Sequence, residues 1–186
     1  MKERLNSKLA QRKSNDFLYL AGSHTHNGVG GWNESPAGQL ILGSFDEAWV
    51  NQTTEEILAK MEAARSSAVP ATLSYWEASA TDYVENRLVG DDGFVDGILR
   101  GLEVVRNDSS KAILVSYSAH PTSISKKSTT LSGDYPAALI ERLENRGYQF
   151  GLFLPGMVGS HRWNSPQLDD YDLVNQEGDL LAERSM

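Results

Sequence analysis

Apolar and polar positions along the chain switch repeatedly between a helical period and a strand period. Residues 2–13, KERLNSKLAQRK, place Leu5 and Leu9 four apart in a polar background, the spacing of one helix face. Residues 16–22, DFLYLAG, make a short apolar run ended by glycine, the pattern of a buried strand. SPAGQLILGS (35–44) reads as a loop on its proline and glycines. Ser44 with Glu47 three residues on has the form of a capping box. Phe45, Trp49, Ile57, Leu58 and Met61 then recur at roughly helical spacing and predict a long helix over 45–66. ATLSYWEASATDY (71–83) alternates as a strand does, and KAILVSYSAH (111–120) is the clearest strand, β-branched and apolar. GDYPAALIERLENRG (133–147) predicts a helix with Pro136 in its first turn and Gly147 at its stop. YQFGLFLPG (148–156) follows as a strand, and LDDYDLVNQEGDLLAERSM (168–186) closes the chain as an acidic helix.

Strands alternating with helices predict an α/β fold, a layered sheet with helices on its faces. No internal repeat, low-complexity tract or linker interrupts residues 1–186, so the expectation is a single domain. The chain opens and closes on helices without a terminal strand, which suggests a piece of a larger α/β catalytic domain, incomplete at both ends.

Composition narrows the function classes. A net charge of −8 and a pI near 5.0 argue against a nucleic-acid partner, because phosphate binding needs a concentrated basic face. No run is apolar and long enough for a transmembrane segment, and the polar start does not resemble a secretory signal. The absence of cysteine excludes disulfides, zinc fingers and thiol catalysis, so any metal must be held by His, Asp, Glu or Tyr.

The candidate chemistry collects where predicted strands end, as functional groups do in open α/β sheets. LYLAGSHTH, LVSYSAHPTS and LFLPGMVGSHRW place His24, His26, His120 and His161, all the histidines of the chain, just after strand patterns. In extended backbone His24 and His26 would point to one face, about 6–7 Å apart at Cα. That suits two zinc ligands, or one ligand beside an acid/base, with His120 as a partner from another strand end. GVGGWN (28–33) fits neither the dinucleotide fingerprint nor the P-loop, so its glycines mark a tight turn that could adjoin a ligand. Arg87 in ENRLVG is a further candidate, and Asp134 sits where a helix N-cap would. Ser160 beside His161 suggests a Ser–His hydrolase only weakly: neighbours in sequence form the nucleophile–base bond with difficulty, and no G-x-S-x-G elbow is present.

With these stretches in hand, the chain resembles the N-terminal catalytic domain of the neutral/alkaline, non-lysosomal ceramidase family. SHTHNGVGGW, SYSAHPTSIS and LSGDYPAALIERLE match that family's motifs well, and ENRLVG and LFLPGMVGSHRW match in part; together they span about residues 17 to 163. Val29 stands in place of the family proline, Leu88 and Val89 follow Arg87 where Ser-Pro is usual, and GMVGSHRW keeps only the Val-Gly of the last motif. The resemblance implies a zinc-dependent hydrolase that cleaves an amide bond of a lipid-like small molecule. It implies zinc ligation by His24 and His120, a substrate-facing acid/base at His26 and an oxyanion-binding role for Arg87. A Glu and a Tyr would complete the zinc site from beyond this chain, and the family's usual location implies a secreted or periplasmic protein. The alternatives are a non-catalytic, ceramidase-like binding or structural domain, and a hydrolase of another amide or ester.

Overall fold

The computed structural model describes residues 1–11, 18–164 and 170–185. The chain divides into two compact units, Met1–Leu20 with Val29–Val69, and Ala21–Gly28 with Pro70–Met186.

The first unit is helical. Helix α1 (Lys2–Gln11) and the long α3 (Glu47–Ser66) contact one another, and Leu5 on α1 and Val50, Thr54 and Leu58 on α3 are buried. Arg4 bonds Asn51 and pairs with Glu34 and Glu47, and Lys8 pairs with Glu55. Helix α3 begins two residues later than the capping-box pattern implies. Asp46, not Ser44, is the cap, its carboxylate accepting from the Trp49 amide at 2.9 Å. The 35–44 segment is a short helix rather than a loop: α2 (Pro36–Leu42) is capped by Ser35 with proline in its first turn. Gly30 and Gly31 serve the chain's own packing. A Cβ on Gly30 would lie 2.0 Å from the Leu42 carbonyl oxygen, and Gly31, at φ +79°, donates to that carbonyl and accepts from Asp46.

The second unit holds a four-stranded sheet of order β1-β3-β4-β5, built from β1 (Ala71–Ser79), β3 (Ile98–Arg106), β4 (Lys111–Tyr117) and β5 (Phe150–Pro155). The first two pairings are antiparallel and β4–β5 is parallel, bridged by α4 (Asp134–Asn145). A short ribbon, β2 (Val84–Asn86) with β6 (His161–Trp163), lies outside this sheet. Strand β3 escapes the sequence pattern because Gly101 interrupts it. Trp76 of β1 lies over that glycine, and a Cβ there would meet its ring at 2.1 Å. Residues 18–22 are not a strand: their backbone is irregular, with Tyr19 and Leu20 exposed, and 16–17 lie outside the described residues.

Helices α4 and α5 (Asp170–Arg184) pack on each other and supply the cover of the sheet. Leu99, Ile113, Val115, Tyr117 and Phe153 from the strands form one core with Tyr135, Leu139, Leu143 and Leu181 from the helices. Gly178 permits the close crossing, since a Cβ there would meet the Ala138 methyl at 2.7 Å. Trp163 ties the ribbon to this core through its contacts with Tyr83, Tyr117 and Tyr135. On the other face, cross-strand rows Leu73–Val104–Ala112–Phe150 and Tyr75–Leu102–Leu114–Leu152 are apolar, and Leu73 and Tyr75 are each 62% exposed. The α/β class expected from the pattern holds, with helical cover concentrated on one face of the sheet. Among the described residues no helix is long and apolar enough to cross a membrane.

Candidate metal centre

The backbone leaves β4 at Tyr117, and a turn over residues 118–124, buried except at Thr122 and Ser123, carries His120. Each part of this turn is tied down. The Tyr135 hydroxyl donates to the Ala119 carbonyl at 2.6 Å, and the Thr122 amide to the His120 carbonyl at 2.9 Å. The amides of Ser123 and Ile124 both donate to Asp134, at 3.0 and 3.2 Å. Asp134 is therefore not an N-cap in the ordinary sense. Gly133 holds that position, while Asp134 sits at φ +56°, is 1% exposed and accepts from three amides, its third donor being Tyr135. Its carboxylate joins the start of α4 to the turn that carries His120.

A second loop, 23–28, carries His24 and His26. Thr25 donates to the Ser132 carbonyl at 2.7 Å, and the Ser132 amide donates to the Asn27 carbonyl at 3.0 Å. The 132–134 segment, leading into the first residue of α4, thus anchors both histidine loops. His24 does not reach its place by strand alternation, as the i, i+2 reading proposed. It adopts left-handed backbone at φ +69°, a conformation costing a non-glycine residue about 1–2 kcal/mol. Local strain of this kind clusters at functional sites.

The two loops bring three imidazoles together. One ring nitrogen from each of His24, His26 and His120 can be chosen so that all lie within 4.8 Å of one another. Ring centroids are 5.5 Å apart for His24–His26 and 4.8 Å for each pair involving His120. His24 and His26 are exposed, whereas His120 is 5% exposed. The Nδ1–H of His120 donates to the Val158 carbonyl at 2.7 Å, so its Nε2 keeps the lone pair and accepts from His26 Nε2–H at 2.8 Å. Burial pushes the His120 pKa down against the Val158 bond, with the Arg87 charge adding to the depression. Burial also lowers that of His24, helped by His26 and Arg87. Neutral rings with an outward lone pair are what a divalent metal requires, and a backbone carbonyl on the opposite nitrogen is the usual orienting partner. The donor set therefore fits a borderline metal such as zinc.

Arg87 follows β2, and the loop after β5 holds it. Its Nε donates to the Gly159 carbonyl at 3.0 Å and its amide to the Ser160 carbonyl at 2.9 Å. The same loop supplies the Val158 carbonyl to His120, so three successive carbonyls organise the arginine and the buried histidine. Sequence reasoning missed this because main-chain acceptors leave no signature in side-chain identity.

His161 stands apart from the cluster. Its ring does contact Ser160, with Oγ 2.8 Å from Nδ1, closer than adjacency in sequence suggested. However, the Asp96 amide donates to His161 Nε2 at 2.8 Å, so the neutral ring carries its proton on Nδ1 and gives it to Met157 O or Ser160 Oγ. In that tautomer His161 cannot take a proton from Ser160.

No family model matches the chain, and no curated protein matches it in sequence. Its fold does match solved structures. Neutral ceramidase from Pseudomonas aeruginosa superposes with a TM-score of 0.83 at 19% identity, over 97% of this chain and 33% of that chain. A ceramidase complexed with C2 superposes with a TM-score of 0.84 at 19% identity, over 98% of this chain and 32% of that chain. The chain thus spans about a third of the length of the structures it matches. It has the fold of part of a neutral ceramidase.

Proposed function

We propose that this chain is a zinc-dependent hydrolase domain of neutral ceramidase type, acting on an amide bond of a lipid-like substrate. The observation that carries the reading is the convergence of His24, His26 and His120 on one point, within a fold shared with neutral ceramidases. His24 and His120 would hold the metal, and the Val158 carbonyl would keep the His120 lone pair aimed at it. Bound there, zinc supplies Lewis-acid polarisation and a water nucleophile at neutral pH. His26, exposed and with its ring 4.8 Å from that of His120, would carry a proton to the departing amine. Arg87, fixed through Nε, would present its remaining N–H groups to the oxyanion that develops as the carbonyl is attacked. The attack adds a water oxygen to the carbonyl carbon, the C–N bond breaks, and the products are a carboxylate and an amine. No covalent enzyme intermediate is required, and Ser160 has no part.

Elemental analysis of tag-free protein, paired with hydrolysis of a short-chain N-acyl sphingoid amide, tests the assignment. Zinc near one per chain is expected in the unaltered protein and in His26→Ala, and loss of zinc in His24→Ala and His120→Ala. Hydrolysis is expected to vanish in all three variants. Full hydrolysis by His26→Ala would overturn its role, and zinc retained in both other variants would overturn the ligand set.

A further inference from the structure

Helix α5 presents one acidic side chain to the interior. Val174, Glu177, Gly178, Leu181 and Ala182 form its buried face, and Glu177 is 1% exposed. Its Oε2 receives the Ser123 hydroxyl, and its Oε1 is buried with no hydrogen-bond partner among the described residues. A buried polar atom left unpaired calls for an explanation. Ser123 belongs to the His120 turn, and its amide is the same one that Asp134 accepts. Two acidic side chains, one from each helix, therefore grip the same residue three positions after His120.

We infer that Glu177 is a positioning residue for His120: through the Ser123 hydroxyl it locks the turn after β4 so that the His120 ring stays seated between the Val158 carbonyl and the other two histidines. The inference rests on the metal-site reading for its consequence, though not for its geometry. Asp134 fixes the main chain of the turn, and Glu177 fixes the side chain of Ser123, so together they remove the rocking motion that would swing His120 off Val158. Burial raises the Glu177 pKa to about 8, opposed by the Ser123 bond and aided by the Asp134 charge, which favours the neutral carboxylic acid. Glutamine is then its nearest substitute, being neutral, of the same length and able to accept from Ser123.

The test uses the full chain in three variants, Glu177→Gln, Glu177→Leu and Ser123→Ala. Long-range proton–nitrogen NMR on zinc-free protein reads the tautomer of each imidazole, with His161 as internal control, and calorimetric titration with zinc alone reads affinity. In Glu177→Leu the His120 signals should move from a single Nδ1–H tautomer toward averaged values, while those of His161 stay in place. Zinc binding should weaken about tenfold or more, the usual scale for a lost orienting partner. Glu177→Gln should restore both. His120 signals unchanged in Glu177→Leu overturn the inference. Should that variant not fold, Ser123→Ala removes the same bridge from the other side, and unchanged His120 signals there overturn it equally. If the unaltered chain takes up no zinc, the metal reading fails, and the zinc-free tautomer signals still decide the role of Glu177.

Discussion

The 120–124 turn buries His120, Pro121 and Ile124 and is gripped by side chains of two helices, whereas the 23–28 loop leaves His24, His26 and Gly28 exposed and hangs on residues 130–132. Both deliver histidines to the same point. His120 arrives as a preset ring, its tautomer chosen by Val158 before any ligand comes, at the cost of burying Asp134 and Glu177. His24 arrives on left-handed backbone, and both His24 and His26 are exposed to solvent. One loop is held from two helices and the other is open to solvent, a division that under the proposed function would pair one preset ligand, His120, with a ligand and an acid/base on the open side.

The comparison breaks most visibly at its anchors. Asp134→Ala removes the acceptor of three amides and puts alanine into left-handed backbone. Leaving buried donors unpaired sets the scale of the loss, and we expect about 3 kcal/mol or more. Thr25→Val removes the Thr25–Ser132 bond in a half-buried setting, where about 1 kcal/mol is expected. Urea unfolding of the two variants measures the contrast. Equal losses would mean that the two loops are equally integrated into the fold, contrary to the picture drawn from their contacts.

A smaller effect sharpens the same contrast through pH. The folded-state pKa of Glu177, about 8, lies above its ordinary value of 4.5, so the folded protein keeps a proton that the unfolded chain has already lost. Its stabilising contribution is full below about pH 4.5 and is lost as pH rises to about 8. The shift bounds the effect at about 5 kcal/mol, and relaxation of the buried site should leave roughly 2 kcal/mol. The groups facing it are Asp134 on α4 and the raised, neutral hydroxyls of Tyr117 and Tyr135. Unfolding free energies of the unaltered protein and Glu177→Gln, compared from pH 5 to 8, should diverge in favour of the variant as pH rises. Parallel curves would mean that Glu177 ionises without penalty and that the α5 side of the turn is wet. His24 and His120 run the opposite way: with depressed pKa values, their contribution is present above about 6.5 and falls away in acid.

Much of this arrangement was legible in the sequence, and the parts that were not share a physical cause. Long, strongly periodic segments such as α3, α4 and β4 follow from side-chain spacing alone. The strand expected at 16–22 failed over 18–22 because an apolar run shows that burial would be favourable, not that a neighbouring strand is available to pair with it. Strand β3 was hidden by a glycine whose role, yielding to Trp76, exists only across a strand pair. The convergence of His24, His26 and His120 was anticipated from their positions after strand-like runs, although no strand forms over 18–22. Glu177 could have been found: it interrupts the apolar stripe Val174–Gly178–Leu181 on a helix whose Asp172, Asp179 and Glu183 are exposed. The Val158, Gly159 and Ser160 carbonyls could not, since any residue supplies one.

The smallest expected effect tests the one pair of residues that imitates a catalytic dyad. Ser160 and His161 are in hydrogen-bond contact, and distance alone would nominate a serine nucleophile with its base. The Asp96 amide decides otherwise, because it occupies the Nε2 lone pair and leaves Nδ1 as the proton-bearing atom. His161 also keeps the Met157 carbonyl, at 3.0 Å, when the serine is gone. Ser160→Ala should therefore change stability by less than about 0.5 kcal/mol, as at an ordinary surface position, and leave hydrolysis within about twofold. A fall of two orders of magnitude or more would be the signature of a lost nucleophile. It would move the proposed chemistry from the three-histidine cluster to the loop after β5, and the contrast between the two histidine loops would then describe only how the fold is braced.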